Sequence, residues 1–265
     1  MTIHQTAVID PLAQVHETAE IGPYVTIQGK VVIGEETVID AHANISGPTT
    51  IGARNKIGSF TSIGASPQDM HYNGEPTELI VGDDNQIREY VSIHRGTVAG
   101  KGKTIIGNSN MIMAYCHIAH DCIIGNHVIM ANVATLAGHV EVGDHVNLGG
   151  FVGVHQFCRI GSFSYVGGLS GIGLDVPPYV IISGIRSRMR ISGINKIGMR
   201  RSGMSRESVN KLENAFKIIF RSPQLLLKDA LAKVQEEIPD SPEVDVMIEF
   251  FQTSKRGVVK RTIDD

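Results

Sequence analysis

Large aliphatic residues recur at every sixth position through the first two thirds of this chain. Stepping by six from Ile3 reaches Ile9, Val15, Ile21 and onward to Ile63, eleven aliphatic residues in eleven positions. A second register holds Val81, Ile87 and Ile93, and a third runs from Ile106 to Ile172 with twelve aliphatics in twelve positions. Neither the 3.6-residue period of a helix nor the two-residue alternation of an ordinary strand sustains such a run. The next residue is often glycine, as at Gly22, Gly34, Gly52, Gly107, Gly125 and Gly161, and four residues after the aliphatic sits something small or β-branched, such as Val25, Thr61, Ala134 or Ser164. The pattern predicts a short strand and a turn in each hexad. The large and small residues point inward, and glycine is expected to relieve a corner of awkward φ. Stacked hexads of this kind build a parallel β-helix in which each coil bonds only to its neighbours. The absence of Trp, 5% aromatic content and 29 glycines suit thin aliphatic layers better than a conventional core.

The period resembles that of the hexapeptide-repeat transferases, and this resemblance implies a left-handed parallel β-helix with three hexads in each 18-residue coil. Cys116, Cys122 and Cys158 fall on the small inward slot, which reads as core filler in a reducing compartment. A net charge of −3 offers no general attraction to nucleic acid or an anionic membrane. The N-terminus has no basic start followed by an apolar run, and no segment approaches the roughly 20 apolar residues needed to cross a bilayer. A cytoplasmic protein without an integral membrane segment and without a nucleic-acid partner is expected.

The period breaks twice, predicting loop insertions at 64–80 and 94–105; both are rich in Gly, Pro or Asn, and long aperiodic loops in a solenoid commonly line a binding face. After Val176-Pro177-Pro178 the hexads stop. Ser205 is placed to cap a helix, and Ser222-Pro223 and Ser241-Pro242 each read as an N-cap followed by proline at the first helical position. The expected organisation is mainly β, a parallel β-helix over 1–190 followed by a small α-helical domain over 191–265. Basic residues crowd the junction: Arg186, Arg188, Arg190, Lys196, Arg200, Arg201 and Arg206. In an otherwise acidic chain they suit a polyanionic ligand or an acidic partner.

With 18 residues per coil, His120 lies over Gly138 and His139 over Asp121, about 4.8 Å apart. His117 and His155 fall close by. None occupies an inward slot, so the cluster is expected on the outside of a flat prism face. Three chemistries fit such a cluster: a solvated wall, a zinc site like that of the γ-class carbonic anhydrases, which needs three converging neutral imidazoles, or a general base, since histidine ordinarily titrates near 6.5.

Six motifs occur in order: GEPT at 74–77, IHRGT at 93–97, HIAHDC at 117–122, LAGHV at 136–140, VHQF at 154–157 and DVPPYV at 175–180. With the helical tail, they closely resemble the UDP-N-acetylglucosamine O-acyltransferases that begin lipid A synthesis. The resemblance implies transfer of a 3-hydroxyacyl group from acyl carrier protein to the sugar 3-position, with His120 as general base and Gly138 donating a backbone N–H to the oxyanion. It implies no cofactor and no metal. His117 would support the base. Gln68, Asp69, His139, His155 and Gln156 would lie near the substrate, Asn195 and Arg201 near the nucleotide. Active sites would lie between subunits of a homotrimer, and the basic junction would meet the acidic carrier protein.

The chain departs from the family pattern at His71, where lysine is common, at Arg186, where histidine is common, and at Ile197, where an acidic residue is expected. His71 would repel a protonated 3-amine less than lysine, so the 3-amino analogue of the sugar is a candidate acceptor. Gly168, at the position that limits the acyl groove, implies a long 3-hydroxyacyl chain. A later N-acyltransferase of the same pathway carries an extra N-terminal domain, whereas hexads here begin at Ile3; a purely structural β-helix would have no use for the histidine cluster.

Overall fold

The computed structural model describes residues 2–185 and 188–259. Its strands form a three-sided parallel solenoid. Face A has eleven strands, face B nine and face C eight, and successive coils visit A, B and C in turn. Partners are 18 residues apart, with Ile3 against Ile21, Ile21 against Ile39 and Ile39 against Ile57. The six-residue aliphatics thus form three interior columns. From Ile21 onward their members are 0–3% exposed, and each fully buried isoleucine contributes roughly 1.5–3 kcal/mol. Cys116, Cys122 and Cys158 are buried free thiols in the small slots. The last strand, Arg190–Ile194, turns back antiparallel on Val180–Ser183 and ends face A.

The glycines after the aliphatics do a different job from the one expected. None of Gly22, Gly34, Gly52, Gly107, Gly125 and Gly161 has a positive φ; the left-handed residues are the non-glycine ones two positions later, Tyr24, Glu36, Arg54, Ser109, His127 and Phe163. Glycine is needed because the next coil lies too close for a side chain. A Cβ on Gly34 would sit 2.5 Å from the carbonyl carbon and oxygen of Gly52, and one on Gly107 would sit 2.6 Å from the Gly125 oxygen. The left-handed corner residues instead project rings that stack from coil to coil. Tyr24, His42, Phe60, Tyr90 and Tyr115 stack at 4.8–5.2 Å along the A–B corner.

Both insertions emerge at the B–C corner, in consecutive coils. Strands Ser62–Ala65 and Glu78–Val81 bracket residues 66–77, and strands Ser92–His94 and Lys103–Ile106 bracket 95–102, within the expected 64–80 and 94–105. Lys56 pairs with Gln86, and Ser92 with His117, so the insertions lengthen their coils by twelve and seven residues.

Four helices follow: α1 (Lys196–Arg201), α2 (Arg206–Phe220), α3 (Leu227–Glu237) and α4 (Pro242–Thr253). Ser205 caps α2, accepting from the Ser208 N–H at 3.0 Å. Ser241 and Pro242 open α4. Ser222-Pro223 does not open α3: the Leu225 N–H donates back to the Ser222 carbonyl in a turn, and the helix starts four residues beyond the proline behind Leu226, without a side-chain cap. The short α1 is capped by Asn195. Beyond α4 the chain returns to the solenoid, where the Asp175 N–H donates to the Gly257 carbonyl and the Val259 N–H to the Asp175 carbonyl.

Gly34→Ala is expected to destabilise the protein by about 1–3 kcal/mol through coil–coil overpacking. Gly153→Ala, whose Cβ would meet nothing within 4 Å, should shift stability by less than about 0.5 kcal/mol. Denaturant unfolding of the two variants tests the steric account; equal losses would contradict it.

Candidate active site

Asp121 organises the B–C corner. Its carboxylate is fully buried and accepts from the Thr97 N–H, the Thr97 hydroxyl at 2.7 Å and the Lys101 N–H at 2.8 Å. Residues 95–102 approach so closely because residue 100 is glycine: a Cβ there would lie 2.5 Å from both carboxylate oxygens. Burial alone pushes the Asp121 carboxyl upward. Hydrogen bonds from the Thr97 hydroxyl, the His120 ring and the Thr97 and Lys101 N–H groups outweigh it and leave the carboxyl below its usual range.

The His120 Nδ1 lies 2.9 Å from the Asp121 Oδ2. An ionised carboxylate only accepts, so Nδ1 carries the proton and Nε2 presents a lone pair. Gly138 lies directly against this ring: a Cβ would sit 2.6 Å from His120 Cε1 and 2.8 Å from Nε2. His139 meets the His120 ring edge-on at 5.1 Å and stacks on Phe157 at 4.4 Å. His117 is fixed by Ser92, whose Oγ is 2.8 Å from Nδ1, and packs edge-on against His94. Burial lowers the pKa of His94 to about 4, assisted by His117 and His120; burial likewise lowers His117 and His139. These imidazoles are neutral at pH 7, so Asp121 is the charge bonded directly to His120.

The cluster is not on an open face. His120 and His139 side chains are 15% and 19% exposed, because the turn sits at a corner roofed by residues 95–102. His120, Asp121 and His139 are close enough to hold a metal ion, yet the Asp121 oxygens already accept from Thr97, Lys101 and His120. That carboxylate is an anchor for the ring and a poor metal ligand.

The first insertion stands beside this corner. Arg95 is 8% exposed and fastens the loop by donating to the Gly47 and Gly64 carbonyls, Ser66 Oγ and Tyr72 OH. Gln68 and His71 are exposed on the loop, while Asp69 folds back to accept the His71 N–H. Gln156 lies one coil above Gly138, with His155 beside it at the same corner. Gly168, Asn195 and Arg201 are elsewhere. Gly168 lies at the A–B corner, and Asn195 and Arg201 line a cavity on the face A side with His127, His145, Asn147 and Tyr165. Asn195 is also committed to structure, donating to the Phe163 carbonyl and accepting from Gly198 N–H. Lys196 pairs with Glu213 at 2.7 Å; Arg188, Arg200, Arg201 and Arg206 are exposed, and Arg186 lies outside the described residues. The anchoring role of Asp121, and Thr97, Ser92 and His94 as parts of the site, are what sequence reasoning missed. Their signal was the IHRGT motif preceding HIAHDC by one coil, visible only once the seven-residue insertion is subtracted.

Residues 175–259 match the family described as UDP N-acetylglucosamine O-acyltransferase, domain 2, and residues 30–65 and 103–138 match bacterial transferase hexapeptide repeats. The acyl-[acyl-carrier-protein]–UDP-N-acetylglucosamine O-acyltransferase of Thermodesulfovibrio yellowstonii is 52% identical over 194 residues, 73% of this chain and 74% of that protein. That of Aquifex aeolicus is 56% identical over 199 residues, 75% of each chain. The crystal structure of the Moraxella catarrhalis UDP-N-acetylglucosamine O-acyltransferase superposes with a TM-score of 0.93 at 45% identity, covering 98% of this chain and 100% of that one. The solenoid is the left-handed parallel β-helix these proteins share.

A carboxyl held below its usual 3.8 stabilises the fold above the unfolded pKa and ceases to do so as pH falls through the folded value. Asp121→Asn should therefore cost roughly 1–3 kcal/mol at neutral pH, a deficit that shrinks steadily below 3.8. Denaturant unfolding at pH 7 and at a pH below 3.8 measures it; a deficit of equal size at both would contradict the assignment.

Proposed function

Because the chain belongs to the acyl-[acyl-carrier-protein]–UDP-N-acetylglucosamine O-acyltransferase family, we propose that it transfers a 3-hydroxyacyl group from acyl carrier protein to the 3-position of UDP-N-acetylglucosamine. The observation that carries the mechanism is the Asp121–His120–Gly138 stack. His120 Nε2 takes the proton of the sugar 3-hydroxyl as that oxygen attacks the thioester carbonyl. The Gly138 N–H, which donates to no other group among the described residues, stabilises the oxyanion. Collapse breaks the carbon–sulfur bond, and the imidazolium returns its proton to the departing thiolate. Asp121 steadies the imidazolium between these steps. His117 and His139, neutral and close-packed, shape the pocket without competing for the proton, and Gln68, Asp69 and His71 approach the sugar from the insertion.

The site is shared between copies in a homotrimer. Along the A–B corner Tyr24, Phe60, Tyr90, Tyr115, Phe151 and Leu169 are 45–71% exposed, a continuous apolar edge suited to a three-fold axis. Around that axis face A of one copy meets face B of the next, and the B–C corner of one opposes the C–A corner of its neighbour. That brings His120 opposite a second copy's Asn195 and Arg201, which a single chain keeps on different faces. Gly168 would line the acyl groove, and the exposed junction arginines would meet the carrier protein. Among the described residues no helix is long and apolar enough to cross a membrane, and we place the reaction in the cytoplasm.

His120→Ala should lower kcat by roughly two to four orders of magnitude. Trimers mixed at random from His120→Ala and Arg201→Ala chains should regain roughly a quarter of wild-type turnover, the chance that an intact His120 faces an intact Arg201; no recovery would refute the shared site. With donors of increasing length, kcat/KM should rise toward long 3-hydroxyacyl chains, each buried methylene adding about 0.8 kcal/mol. His71 should permit turnover of the 3-amino acceptor, which His71→Lys should suppress; a His71→Lys enzyme with unchanged acceptor preference would refute this.

A further inference from the structure

The chain beyond α4 crosses the B–C corner one coil above His155. It is docked there by Asp175, whose backbone pairs with Gly257 and Val259 and whose carboxylate accepts the Ser254 hydroxyl at 2.7 Å. From the middle of this segment Arg256 reaches back to the corner that carries the site. Its Nε donates to the Gly173 carbonyl at 2.9 Å, and its Nη2 lies 2.8 Å from the His155 Nδ1.

A guanidinium has five N–H donors and no acceptor. His155 Nδ1 must therefore accept, and the ring proton resides on Nε2. The Gln156 carbonyl also lies 3.2 Å from Nδ1, but the two cannot both be satisfied. The shorter contact, made by a charged donor, decides the tautomer. His120 is in the opposite state, with Nδ1–H held by the Asp121 carboxylate and Nε2 left as acceptor. One corner thus carries two imidazoles locked in opposite tautomers, one by a buried anion and one by a cation from the far end of the chain.

We infer that Arg256 is a positioning residue that fixes His155 as the neutral Nε2–H tautomer, making it an obligate hydrogen-bond donor to an oxygen of the acyl donor, while His120 remains the acceptor. The ligand's identity rests on the function proposed above; the tautomer does not. In this arrangement the helical domain contributes to acyl transfer through the chain segment that follows it.

The test pairs ring nitrogen spectroscopy with a double-mutant cycle. In the full-length wild-type protein labelled with ¹⁵N-histidine, His155 should show a protonated Nε2 and an unprotonated Nδ1, and Arg256→Met should abolish that preference. An Nδ1–H ring in the wild type overturns the inference and leaves the acyl-transfer reading untouched. For activity, Arg256→Met and His155→Ala should each lower kcat/KM for the acyl donor about tenfold, and the double variant should be no worse than His155→Ala. Arg256→Lys, which keeps a donor-only cation, should recover part of the loss. If Arg256 merely held the terminal segment in place, the two losses would multiply, and that result would also overturn the inference. A His155→Ala enzyme with wild-type kcat/KM would do the same. Should Arg256→Met fail to fold, the wild-type spectrum and Arg256→Lys still decide the matter.

Discussion

The in-register ladder between coils is the constraint on which the rest depends. Each strand bonds to the one 18 residues away, so a residue's position in its hexad sets which corner or face it occupies, and its coil number sets its height. A chemical group is thereby addressed by two coordinates. His120, Gly138, His155 and Gly173 share one corner at successive heights, although 53 positions separate the first from the last. No contact between distant elements has to be specified to align them.

Chemistry is then added by departing from the ladder without breaking it. The two insertions leave at the corner that carries His120 and rejoin face C in register, so their cost to the solenoid is local. One brings Thr97 and Lys101 onto Asp121, where four hydrogen bonds offset the burial of a charge. The other is held by Arg95, a buried guanidinium that donates to two backbone carbonyls and two side-chain hydroxyls. The terminal segment closes the column from the opposite direction. The histidine corner is thus flanked from below, beside and above by segments that are not part of the repeat.

Most of this architecture was readable in the sequence because a six-residue period translates directly into geometry. Placing Gly138 against His120 needed only a repeat length and a strand spacing. What escaped the reading depended on distances between backbones or between segments far apart in the chain. Gly34 and Gly107 looked like corner residues, but the corner angle falls on Glu36 and Ser109, and the glycines are there for coil-to-coil clearance. Ser222-Pro223 had the composition of a helix start, yet the chain spends four further residues in a turn. Asp121 was visible beside His120, but its burial follows from Gly100, in a loop whose path no period describes. Asn195 and Arg201 fell outside the single-chain site because they lie beyond the last hexad, on the face A side, where the repeat specifies nothing.

The strict stacking also makes the dimensions of the molecule discrete. Adding or deleting one coil between the histidine corner and the helical end would translate one relative to the other by a single strand spacing of about 4.8 Å, with little rotation. A chain of this construction changes reach in whole steps and retunes within a step only by side-chain substitution. Divergence in ligand size among such proteins should accordingly fall into rungs, coarse changes made by counting coils and fine ones by exchanging side chains within a coil.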